Sequence, residues 1–119
     1  MIQEEILEYN KRCAEFLGYK PNRHNDGGTD DFYDNPQIYV SDLKFHSDWN
    51  WIMEVVEVIE ELDVVASFQI ENPTIYIWKS SEENTFKDIE VDINILSKKE
   101  AVVKAINQFL IWYNEHKTN

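Results

Sequence analysis

Glu90 and Asp92 come closest in this chain to a catalytic arrangement. They stand two positions apart in the run IEVDINIL (89–96), and a strand would turn both carboxylates to one face. Acid–base work would need one of them raised toward neutrality by burial or by the other's charge. An enzyme site, if the chain has one, gathers around Glu90, Asp92 and Trp78. The surrounding sequence promises no apolar pocket, so a solvated strand face is the preferred reading.

Other candidate groups carry less. Asp26, Asp30, Asp31 and Asp34 crowd one loop, but they lack the D-x-[DN]-x-[DN]-G spacing of a calcium loop. His24, His46 and His116 are scattered, and no pair has the i, i+3 or i, i+4 spacing that would put two imidazoles on one helical face. The single Cys13 cannot form an internal disulfide; its place on an apolar helical face marks a structural thiol and a reducing compartment. G-x-S-x-G, Walker, G-x-G-x-x-G and H-E-x-x-H signatures are all missing, and three glycines leave little material for a phosphate cradle. The sequence therefore implies no metal and no cofactor.

Charge is the stronger signal. The formal net charge is −12, and residues 26–63 hold eleven acids against the single base Lys44. Such a chain repels phosphates, which argues against direct nucleic-acid binding. It suits a partner with a basic surface, one that itself normally holds nucleic acid. The surface expected to meet that partner comprises Asp30, Asp31 and Asp34 in the loop, with Glu54, Glu57, Glu60 and Glu61 further on; the preferred reading of the same acids is a solvated loop and the ordinary wet side of a buried helix. Tyr76 and Trp78 join it as aromatic anchors. For these two the first expectation is that a helix covers their face and makes them second-layer core; the other is an exposed aromatic patch.

The elements that position these groups follow from periodicity. Residues 2–17 read as a helix with apolar positions at Ile2, Ile6, Tyr9, Cys13 and Phe16, closed by Gly18. Residues 19–44 are a long connection rich in turn formers, where Asp26-Gly27 could close a small hairpin and Ile38–Val40 could lie extended. Asp48–Leu62 is the central helix. Asp48 is its expected cap, with Ser47 competing; the glutamates form one narrow stripe, and the remaining positions are so apolar that the fold must cover it on several sides. Those glutamates also interrupt any apolar run long enough to cross a membrane. Three strands follow at Val64–Ile70, Thr74–Lys79 and Ile89–Leu96. Ser97-x-x-Glu100 is a capping box opening a last helix. The expected fold is one α+β domain over residues 1–119: a three-stranded antiparallel meander packed with three helices, in the order α-α-β-β-β-α. The start, MIQEEILEYN, is acidic rather than basic-then-apolar, so no signal peptide is expected and the cytoplasm is the expected compartment.

Two of these segments carry a resemblance. FHSDWNWIMEVVEVIE (Phe45–Glu60) and KKEAVVKAINQFLIWYNEH (Lys98–His116), with strands between them, resemble small proteins of bacteriophages and Bacteroidetes mobile elements. The layout is similar to the phage ABA sandwich family, through Trp49, Met53, Val56 and Ile59 and then Ala101, Ala105, Phe109, Trp112 and Tyr113. These are packing residues, so the resemblance implies a fold and a provenance but no catalytic residue. Joined to the acidity and the missing motifs, it implies a protein that binds a host protein, in the manner of an inhibitor of a CRISPR or other defence nuclease. An uncharacterised enzyme and a structural homo-oligomer are the alternatives.

Overall fold

The computed structural model describes residues 1–28, 30–71, 74–80, 87–92 and 96–116. Helix α1 spans Gln3–Phe16, with Glu4 and Glu5 in its first turn, where the exposed N–H groups favour negative charge. It ends in a Schellman motif. Gly18 adopts φ +92°, Gly18 N–H donates to the Glu15 carbonyl at 3.1 Å, and Tyr19 N–H donates to the Ala14 carbonyl at 3.0 Å. The left-handed φ is why a glycine stands there.

The long connection is not structureless. It folds into a small antiparallel sheet, β1 (Lys20–Pro21), β2 (Phe32–Asn35) and β3 (Gln37–Tyr39). Tyr33 pairs with Ile38 and Asp34 with Gln37, so Asn35 and the cis-linked Pro36 make the hairpin turn. The hairpin expected at Asp26-Gly27 does not form as a tight turn; those residues lie in the wider link from β1 to β2. A short 3-10 turn, Val40–Asp42, follows β3. The expected three-helix, one-sheet order is therefore corrected to three α-helices and two three-stranded sheets among the described residues.

Helix α2, Trp49–Glu60, begins as expected, with Asp48 Oδ1 accepting from Asn50 N–H at 2.9 Å. Ile52, Val55, Val56 and Ile59 are buried. Trp51, Met53, Val58 and Leu62 are half-buried, so neighbours close on this helix from several sides. One neighbour is Phe45, whose ring meets Trp51 edge-on with centroids 4.8 Å apart.

The second sheet is β4 (Val65–Ile70), β5 (Thr74–Lys79) and β6 (Ile89–Asp92), an antiparallel meander in chain order. Residues 93–95, the end of the expected third strand, lie outside the described residues. Helix α3, Lys98–His116, opens on the capping box: Ser97 Oγ accepts from Glu100 N–H at 3.1 Å, and Glu100 Oε1 accepts from Ser97 N–H at 3.3 Å. Helices α2 and α3 cover the side of this sheet that carries Phe68, Ile75, Ile77, Ile89 and Val91, and α1 packs on α3. One buried cluster runs from Tyr9, Cys13 and Ala14 of α1 through α2 and α3 to that sheet face. Tyr33 and Val40 tie the small sheet into it.

Candidate functional site

Alternation along β5 sends Ile75 and Ile77 inward and Tyr76 and Trp78 outward. Both helices take the isoleucine face, so nothing among the described residues covers the other one. The expectation that Tyr76 and Trp78 form a second core layer is thereby corrected. Trp78 is 38% exposed and Tyr76 half-buried; their rings stack with centroids 5.3 Å apart and planes 23° apart. Register sets their neighbours. Tyr76 stands between Gln69 on β4 and Glu90 on β6, Trp78 stands opposite Ser67, and Thr74 opposite Asp92. The described outer positions are thus small, polar, aromatic or acidic, and none is Lys or Arg. Glu90 and Asp92 are both exposed on this open face.

The loop acids part company. Asp31 is only 6% exposed, and it is the loop's organiser rather than a surface group. Its Oδ1 accepts from Asp26 N–H at 2.9 Å and its Oδ2 from Gly27 N–H at 2.6 Å. Burial pushes its carboxyl pKa up, but these two N–H groups, the Asp26 side chain and Lys11 outweigh that and hold it below the ordinary carboxylate value. Its assignment to the partner surface is corrected accordingly. Asp30 and Asp34 are exposed, and Asp34 accepts from Asn22 Nδ2 at 3.0 Å.

Glu54, Glu57 and Glu60 lie on the exposed edge of α2, and the exposed Glu61 follows as its C-cap. Glu54 also reaches toward the small sheet. Burial first and then the Glu54 charge raise the Tyr19 phenol pKa, and the Tyr19 ring meets Tyr33 at 5.7 Å and Phe45 at 6.1 Å. The structure brings Tyr76, Trp78 and Glu90 together. It sets the α2 stripe apart from them, since α2 packs on the opposite side of the sheet.

Sequence reasoning missed one arrangement. Asn10, on the core stripe of α1, is 3% exposed, and its Nδ2 donates to His46 Nδ1 at 3.0 Å. Its Oδ1 is buried with no partner among the described residues. The signal was available: Asn10 lies one turn from Ile6 and from Ala14, a polar residue on an apolar face. Desolvation lowers the His46 pKa below its ordinary value, which keeps the ring neutral. Cys13 behaves as expected of a structural thiol, buried and with its pKa pushed up to about 12 by that burial.

Among the described residues no group of three or more His, Cys, Asp or Glu is placed to hold a metal ion, and no helix is long and apolar enough to cross a membrane. Comparison with known proteins found no matching family model, no matching curated protein and no matching solved structure.

Proposed function

We propose that this chain is a small acidic binding protein that docks on a basic protein surface, and that it acts by occupying the lysines and arginines there. The carrying observation is the stacked Tyr76–Trp78 pair, exposed beside Glu90 on an uncovered sheet face with no cation among its described positions. Aromatic rings anchor interfaces, and a neighbouring carboxylate selects an arginine or lysine to lie against them. The exposed glutamates of α2 and the exposed Asp30 and Asp34 add steering toward a positive partner.

The resemblance of Phe45–Glu60 and Lys98–His116 to small phage and mobile-element proteins points to a host protein in the host cytoplasm. The chemistry fits a defence nuclease, a CRISPR effector included, whose nucleic-acid groove offers many cations. The exposure of Glu90 and Asp92 supports binding over catalysis at that face.

The test is affinity capture with the wild-type chain beside Trp78→Ala, with captured proteins identified by mass spectrometry and their binding titrated against salt. The reading expects a basic nucleic-acid-binding protein that is lost with Trp78→Ala and weakened as salt rises. A captured set that ignores both the substitution and the salt refutes it.

A further inference from the structure

A cleft of about 760 Å³ opens between α1 and the first half of α3, with His46 on its wall. That volume lies inside the range of roughly 300–1,000 Å³ typical of small-molecule sites. Helix α3 stands between this cleft and the second sheet, so it is a different surface from the Tyr76–Trp78 face. Ile2, Ile6, Leu96 and Val103 give it an apolar lining. His46 presents a prepared donor. Its Nδ1 is occupied by the amide of Asn10, so the neutral ring carries its proton on Nε2, on the edge turned away from Asn10. A buried asparagine fixing the tautomer and orientation of a histidine on a cleft wall is costly to keep, because Asn10 Oδ1 gains no partner in return. Such a cost is expected where a fold holds a site ready.

The rim is mixed in charge, with Lys104 against Glu5 and Glu100. A cation would meet Lys104, and an anion would meet both glutamates. We infer that the cleft is a binding site for a neutral small molecule with an apolar body and a carbonyl-type acceptor, the body lying against Ile6 and Val103 and the acceptor taking the His46 Nε2–H.

Nile red is a suitable probe, being neutral, apolar and carbonyl-bearing, and brightening when it leaves water. Titrated with the full chain, it is expected to saturate at one dye per chain. His46→Phe removes the donor and should weaken the dye about five-fold, the worth of one net hydrogen bond. Gln108→Trp places an indole at an exposed lining position and should weaken it at least ten-fold without entering the core. Trp78→Ala should leave it unchanged. Four results overturn the inference: a signal that never saturates, Gln108→Trp binding as tightly as wild type, loss of the signal in Trp78→Ala, or light scattering that shows a dimer which Gln108→Trp dissociates. The last would make the cleft a self-interface.

Discussion

Replacing Asn10 with leucine should stabilise this protein. The side chain is 3% exposed, makes one hydrogen bond through Nδ2 to His46, and leaves Oδ1 without a partner among the described residues. A net hydrogen bond is worth about 0.5–1.5 kcal/mol, whereas a buried polar atom left unsatisfied costs about 1–3 kcal/mol. Leucine has the same branched skeleton with bulkier methyl groups in place of the amide, so no cavity opens, and His46 Nδ1 loses its donor at a half-exposed position that water can reach. The balance favours Asn10→Leu by about 1 kcal/mol, or about 4 °C in Tm for a domain of this size. Asn10→Ala is the control. It also removes the amide but leaves a void, and should lose about 2–5 kcal/mol relative to the leucine variant. Urea unfolding followed by tryptophan fluorescence measures both, with the midpoint read at constant slope. An Asn10→Leu variant less stable than wild type by 1 kcal/mol or more would show that the amide is fully satisfied in solution. The argument that the fold bears a cost at this position would then fail.

The other predictions concern pH, core and surface. The folded-state pKa of His46 lies below its unfolded value of about 6.5, so the unfolded chain takes up the proton first. Stability from this group is therefore complete above about pH 6.5 and falls as the pH drops toward the folded pKa. His46→Gln should therefore flatten the decline in urea midpoint between about pH 7 and 5.5. An unchanged decline would assign it elsewhere. Ile52→Ala empties a fully buried position on α2 and should cost about 2–5 kcal/mol in a urea titration; a cost under 1 kcal/mol would contradict the packing described for that helix. Trp78→Ala should change stability by less than about 1 kcal/mol, because the ring is largely outside the core. A larger loss in calorimetry would mean that Trp78 serves the fold rather than a partner.

The parts of the fold that were legible in the sequence are those fixed by local chemistry. Gly18, Asp48 and the Ser97–Glu100 box each satisfy backbone groups within a few residues of themselves, so their spacing announces helix ends without reference to the rest of the chain. Alternation at 74–79 and 89–92 likewise separates the two faces of the second sheet. The first sheet was not legible, because its strands are two to four residues long and mostly polar. Their register depends on Tyr33 packing against Tyr19 and donating to Glu15, 18 residues earlier, at 3.0 Å. The site was half legible for a related reason. Periodicity put Tyr76 and Trp78 on one face, but only tertiary packing decides which face two helices take. Asp31 looked like its neighbours, and nothing local marks which of four aspartates will turn inward.

The lone cysteine gives this molecule an internal clock. Cys13 sits wholly inside the cluster under α1, and its thiol is protonated at any ordinary pH. A thiol reagent therefore reacts only with molecules in which that helix has come away from its neighbours. The labelling rate reports the frequency of that excursion, and a compound seated between α1 and α3 would slow it in proportion to its occupancy.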